Sequence, residues 1–286
     1  MKNRSIRIVS TLVLISSIIS CKKDSESESN KTRLSKLIQW SSANPAKNIT
    51  TIEFTYDDQK RVVEVATFLG DSVAGEIKSA KSRSFKCFYN GKETNPYKTI
   101  GVISYYNSTT AEIFHTYSGS GILVQDSIPL PASGANQRII RKYNYIADKI
   151  VVQSNEVGPY YSSSTRDSFL LADNNIKESY TGLYAYIGQY SGFKLIYDTK
   201  INPISKLNIA ALTTTSSLFG FPGFLAPGFS KNNITEYTYG SSTGPGNFVP
   251  GGVYYYTYTY NAGNLPSECR FTVGNSTSTV KYLYID

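Results

Sequence analysis

The side chains able to do chemistry are few, and each set points to a different reaction. The one histidine, His115, lies in Glu112-Ile113-Phe114-His115-Thr116-Tyr117. Alternating apolar and polar residues mark that run as a strand. A serine hydrolase needs a nucleophile elbow, and Gly119-Ser120-Gly121 lacks the Gly-x-Ser-x-Gly spacing. No Cys/His spacing suits zinc, and no glycine-rich phosphate loop opens a helix. Asp57-Asp58 and Asp173-Asn174-Asn175 lack the spaced oxygen ligands of a calcium loop and suit turns instead. The expectation is a protein that is not an enzyme and has neither metal nor cofactor. One alternative stays open, because a glycan hydrolase needs only two carboxylates brought together in space.

Tyrosine is the dominant functional group, with 24 residues against one each of His, Trp and Met. Tyr254, Tyr256, Tyr258 and Tyr260 share one face of a strand, with Tyr255 on the other. Tyr184, Tyr186 and Tyr190, and the pair Tyr160-Tyr161, form further clusters. A phenol offers a flat apolar face with a polar tip, which suits glycan or protein surfaces. The Tyr254–Tyr260 ladder is therefore a candidate ligand contact. Same-face tyrosines also stabilise sheets through cross-strand pairs, so a purely structural role competes with binding. Cys87 and Cys269 lie in strand-like runs, as either a disulfide or two buried thiols.

Cys21 stands apart. Lys2, Arg4 and Arg7 precede an apolar stretch from Ile8 to Ile19. Those twelve residues would span about 18 Å as a helix, against a hydrocarbon core of roughly 30 Å. The segment is an export signal rather than a membrane span. It ends in Ile18-Ile19-Ser20-Cys21, which resembles the bacterial lipobox, with Ile where Leu is commoner. That resemblance implies cleavage before Cys21 and lipid attachment to its thiol. Two or three acyl chains anchor a protein stably where one does not. Residues 1–20 are thus expected to be a lipoprotein signal peptide. Residues 21–31, beginning Lys22-Lys23-Asp24-Ser25-Glu26, form a polar tether. Lys22 is not the Asp that resembles an inner-membrane retention signal, so the outer membrane is the expected address. Lys22-Lys23-Asp24 resembles the charged export tags of surface lipoproteins, and the periplasmic and external faces both stay open.

Residues 32–286 alternate like a single domain of hairpins. Ile52–Tyr56 and Arg61–Val65 flank an Asp57–Lys60 turn. The same pattern joins Tyr143–Ile146 to Ile150–Gln153, and Ser168–Leu171 to Ile176–Glu178. It also predicts a turn at Asp198–Pro203 after Phe193–Tyr197, and one at Asn261–Asn264 after Tyr254–Tyr260. The shared unit is aromatic-x-Tyr, an Asx turn, then a β-branched strand. Leu207–Phe219 reads as a short helix or irregular crossing, and 219–229 as an apolar Phe/Gly/Pro loop, either a plug packed against the sheet or across an open barrel end, or an exposed partner or lipid contact. Gly240–Gly252 reads as a flexible hairpin loop. The expected fold is all-β: an antiparallel meander of repeated hairpins, curled or barrel-like.

These units resemble the tyrosine-aspartate repeats of bacterial surface proteins. The layout is similar to a family of lipoproteins described as having a porin-like β fold. The resembling blocks are Phe54–Val62, Tyr197–Pro203, Ser230–Thr235 and the terminal tyrosine hairpin. The resemblance implies a fold and no activity. No outward apolar band with aromatic girdles marks the strands as a transmembrane barrel. The formal net charge of +8 includes three leader cations and forms no basic cluster, so nucleic acid is not an expected partner. The expected partners are the membrane, through the N-terminal lipid, and an envelope protein or glycan. The leading reading is a membrane-anchored cell-envelope lipoprotein that scaffolds or binds. A surface glycan-binding protein is the alternative.

Overall fold

A computed structural model describes residues 32–103, 109–130, 137–158, 162–184, 189–207, 230–243, 247–274 and 276–286. Sixteen strands follow one another around a closed antiparallel barrel. They are β1 (Arg33–Ser41), β2 (Ile49–Tyr56), β3 (Val62–Val73), β4 (Glu76–Phe88), β5 (Lys98–Ile103), β6 (Thr109–Tyr117), β7 (Leu123–Pro129) and β8 (Arg138–Ile146). The second half comprises β9 (Lys149–Val157), β10 (Ser162–Ala172), β11 (Asn175–Tyr184), β12 (Gln189–Ile201), β13 (Asn232–Ser242), β14 (Phe248–Tyr260), β15 (Pro266–Val273) and β16 (Ser276–Ile285). Closure pairs β1 with β16 from Arg33↔Ile285 to Ser41↔Ser278. It removes both free edges of the meander.

Antiparallel succession divides the connections between two rims. The chain enters β1 and leaves β16 at the proximal rim, which also carries the β2–β3, β4–β5, β6–β7, β8–β9, β10–β11, β12–β13 and β14–β15 connections. Turn chemistry there is local. Asp57 accepts from the backbone N–H of Gln59 (3.0 Å) and Arg61 (2.9 Å), and Lys60 sits at φ 65°. Asn261 repeats the device on Leu265 (3.0 Å), with Asn264 at φ 58°. Asp173 and Asn174, at φ 51° and 62°, close β10–β11 in two residues, as the predicted turn requires.

Two predicted breaks are strand instead. β12 continues through Asp198 to Ile201, with shifts of register on either side of Tyr197. Asp198 supplies turn-like bonds, to Lys200 N (2.9 Å) and to Asn233 N on β13 (3.1 Å), from within a bulge. The Gly240–Gly252 loop is shorter than expected, because β13 reaches Ser242 and β14 begins at Phe248. Tyr239 lies across from Gly252 in the β13–β14 ladder. A Cβ on Gly252 would come within 2.6 Å of the Tyr239 ring, so the missing side chain makes room for it. Pro203–Leu207 forms a 3-10 helix whose Ile204 and Leu207 are buried in the main core. Residues 208–229, including the Phe/Gly/Pro stretch, lie outside the described residues.

Side-chain parity then sorts the wall. Leu37 opposes Ile52, Phe54 opposes Val65, and Cys269 opposes Val280, all within one buried cluster that also holds Ile113 and Ile128, both 0 % exposed. A round barrel of this strand number encloses an aqueous channel. Complete burial of inward side chains requires that the lumen be filled at their level. The alternate positions carry charge. Lys36 faces Glu53 across β1–β2 (2.7 Å), Lys81 meets Glu64 across β3–β4 (2.5 Å) and Lys98 meets Glu112 across β5–β6 (3.4 Å). Lys194 faces Glu178 across β11–β12 (3.6 Å). The Lys81 ammonium, by donating to Glu64, holds that carboxyl below its ordinary range.

Candidate functional site: the tyrosine-lined lumen

The Tyr254–Tyr260 ladder lies on the inner face of β14. Tyr258 opposes Cys269 on β15, and Cys269 opposes Val280 on β16, both core residues. Tyr256 stacks on Phe271 with ring centroids 5.6 Å apart, and Tyr258 lies 6.0 Å from Tyr260. Burial pushes the Tyr258 and Tyr282 phenols well above their ordinary pKa. Tyr255 points outward and is 59 % exposed. The ladder thus runs from half-buried Tyr254 near the distal rim into the packed core. Tyr160, Tyr161 and Tyr186 lie outside the described residues, as does Cys21.

The remaining tyrosines explain the repeat. At the proximal rim, Tyr56 donates its hydroxyl to Leu34 O (2.6 Å), Tyr89 to Val62 O (2.7 Å) and Tyr117 to Pro96 O (2.9 Å). Tyr197 donates to Ile176 O (2.6 Å) and Tyr284 to Pro266 O (2.7 Å). Each acceptor lies earlier in the chain, on the neighbouring strand or its turn. The Tyr before the turn therefore ties one hairpin to the previous one, and the Asx residue shapes the reversal. Burial raises Tyr56 to about 12, although the Arg33 cation pulls the other way. Tyr56→Phe is expected to cost about 1 kcal/mol, the net worth of one such hydrogen bond, as a lower urea midpoint with unchanged slope.

The two sequence blocks around Tyr197 and Ser230 converge at this rim. Ser230, 0 % exposed, accepts from Ile176 N (3.1 Å), and its hydroxyl lies 2.7 Å from that of Tyr197. Asn175 and Asn232 bond reciprocally at 3.0 Å. Asp198 receives Asn233 Nδ2 (3.2 Å) and the Tyr260 hydroxyl. Above them a cavity of about 20 Å³, room for one water, lies between Ile204, Tyr256, Tyr258 and Phe271. The 3-10 helix is held by Asn202, whose side chain accepts from Ile204 N (3.0 Å).

His115 has partners that its sequence neighbours do not reveal. Its Nδ1 lies 2.7 Å from Asp126 Oδ1, and its Nε2 lies 3.0 Å from the Thr99 hydroxyl. Tyr143 donates to the other Asp126 oxygen at 2.5 Å. Hydroxyl, imidazole and carboxyl are ordered as in a hydrolase relay. Thr99 is 0 % exposed, as are both side chains of the His–Asp pair, so no substrate reaches the hydroxyl. The set ties β5, β6, β7 and β8 together across the inner wall. Among the described residues, no three His, Cys, Asp or Glu gather as metal ligands.

The overall shape can now be compared. No protein-family model matches the chain, and no curated protein does. The fold resembles that of porin-like proteins from Bacteroides. One, from Bacteroides vulgatus ATCC 8482, has a TM-score of 0.51 and 10 % identity, covering 89 % of this chain and 99 % of that one. Another, from Bacteroides uniformis ATCC 8492, has a TM-score of 0.40 and 11 % identity, covering 88 % and 98 %. Identity this low relates the folds and carries no activity across.

Cys87 and Cys269 are buried free thiols on β4 and β15. Burial pushes each up to about 12. Neither is expected to react with a disulfide-exchange reagent in the native protein at neutral pH, whereas both react in urea. A chain that stays unreactive in urea would contain the disulfide instead.

Proposed function

We propose that this chain is an outer-membrane lipoprotein, anchored through Cys21, whose barrel stands in water and works by contact rather than by catalysis or conduction. The observation that carries this reading is the sidedness of the wall: an inner face packed with buried apolar side chains at the level of the core, and paired charges outside. A Lys or Arg on the lipid face of a barrel costs about 2–4 kcal/mol at mid-bilayer. Lys36, Lys81, Lys98 and Lys194, on four separate hairpins, make such an immersion unfavourable. A porin of this size conducts because its polar lumen is open, whereas the inner face here is buried at the level of the core. The charged outer surface is then what a partner meets, an envelope protein being the leading class. Labelling cells with an alkyne analogue of palmitate tests the anchor. The wild type should carry label and sediment with membranes, and Cys21→Ala should lose the label. An unlabelled wild-type chain would contradict the anchor.

One observation favours glycan capture as a second reading. Near the distal rim Phe193 stacks on Tyr237 (5.3 Å), and Tyr254 meets Tyr237 (5.4 Å) and Tyr239 (5.7 Å). Tyr239 is 43 % exposed, so this cluster presents a ring to solvent where Tyr256 and Tyr258 pack against the core. On this reading, Tyr239→Ala abolishes retention on envelope polysaccharide while leaving the free energy of unfolding in urea within about 0.5 kcal/mol of wild type. Equal retention of wild type and variant would eliminate it.

A further inference from the structure

Closure pairs the first strand with the last, yet one strand keeps an open edge at the distal rim. β4 pairs with β5 only from Phe85 to Phe88, whereas its ladder with β3 runs from Lys86 to Glu76. β5 ends at Ile103, which faces Thr109 on β6, so the chain turns back at that level. Among the described residues, 76–82 are therefore paired along one side alone, and all seven are exposed. At about 3.3 Å per residue the open edge is roughly 23 Å long. The β3 side of the hairpin is covered instead. Ser72 N donates to Ala46 O (2.8 Å), and Asp71 accepts from Lys47 (2.7 Å) and Asn48 N (2.9 Å). β14 also overhangs, because its ladder with β15 stops at Tyr254↔Val273. That overhang is blunted by Pro250, which has no N–H, and by a bulge at Gly251. Residues 76–82 include no proline, and their one register shift, at Ser82, lies at the base.

What protects this edge is charge. From Glu76 to Lys86, β4 carries Lys78, Lys81, Arg83 and Lys86 against a single carboxylate. Lys81 already meets Glu64 (2.5 Å), and Arg83 is engaged within the fold. Lys78 is exposed on the open stretch itself. Cations on an edge disfavour pairing with a like edge, so a second copy of this strand is repelled and an acidic strand is not. We infer that residues 76–82 take up an extended acidic segment of an envelope protein as an added strand. Backbone N–H and C=O groups of the open edge supply the affinity, and the cations of β4 select the sign of the incoming side chains. Ile77, 40 % exposed, adds an apolar contact between them. The inference rests on the contact reading proposed above, and names the surface and the chemistry of the partner.

The test is peptide binding to the full chain in a non-ionic detergent, read by fluorescence anisotropy. The probe is a labelled peptide of about ten residues, alternating threonine and glutamate, long enough to span the edge. A peptide alternating threonine and lysine is the control. The acidic peptide is expected to bind one per chain, and the basic one not at all. Amide hydrogen exchange should slow over residues 76–82 and stay unchanged in the rest of the wall. Lys78→Glu should weaken binding roughly tenfold at an unchanged melting temperature. Successive amides along a strand point to opposite sides, so of Ser79→Pro and Ala80→Pro one removes a donor from the open edge and the other a donor to β3. The first of these should lose the peptide and keep the fold. If neither folds, Lys78→Glu gives the reading. No binding of the acidic peptide, equal binding of the basic one, binding without protection of 76–82, or equal affinity in wild type and Lys78→Glu overturns the inference. Protection of 76–82 without peptide, rising with protein concentration, assigns the edge to a second copy and overturns it too. The palmitate label is scored independently, so loss of this surface leaves the anchor standing.

Discussion

Replacing Asp126 with alanine is expected to destabilise the barrel by about 3–5 kcal/mol, the cost of removing one member of a buried, hydrogen-bonded polar set. His115 Nδ1 and the Tyr143 hydroxyl both turn to this carboxyl, at 2.7 and 2.5 Å. Alanine would leave both groups buried without that acceptor, since the His115 side chain is 0 % exposed and Tyr143 is buried. Urea unfolding followed by tyrosine fluorescence measures the effect as a lower midpoint. Asp126→Asn should cost less, because it keeps an acceptor for one donor. If Asp126→Ala unfolds within about 0.5 kcal/mol of wild type, the set is not sealed, and an accessible Thr99–His115 pair must be reconsidered as chemistry.

Tyr258→Ala is expected to cost about 3–5 kcal/mol, the range for deleting a large buried aromatic side chain. Tyr255→Ala, three residues earlier on the opposite face, should fall within about 0.5 kcal/mol of wild type. Tyr255 is 59 % exposed, whereas Tyr258 packs against the core that holds Cys269 and Val280. The contrast compares inside with outside on a single strand. Equal losses at the two positions would mean that the lumen is not filled at this level.

The hairpins were legible because their causes are local. Period-two alternation and an Asx residue at each reversal mark Phe54–Val62 and Tyr254–Cys269 without any tertiary information. Closure was not legible as such, since it joins Arg33 to Ile285 through a ladder that no local pattern announces. Alternation also separates two faces without saying which is inside. Which way the Tyr254–Tyr260 face turns is not written in the alternation; the ladder sets Tyr258 against Cys269, which opposes Val280. Asp198 misled because its side chain makes the bonds of a turn from within a bulge. The signal for the rim tyrosines was present in the recurring aromatic-x-Tyr before each reversal. Its meaning, a hydroxyl tied to the previous hairpin, needed the neighbour's carbonyl. Thr99, Asp126 and Tyr143 were invisible as partners of His115, since each lies on a different strand.

The account turns on which side of the barrel wall meets water, and nitroxide accessibility measures that directly. Lys36, Lys98 and Lys194, replaced singly by cysteine and spin-labelled in the membrane-bound protein, report on outward positions on β1, β5 and β12, spread around the barrel. Water in contact with the wall predicts that a soluble nickel chelate relaxes all three labels more strongly than oxygen does. A barrel immersed in lipid would give the opposite result, with oxygen dominating at all three sites, and would contradict the account.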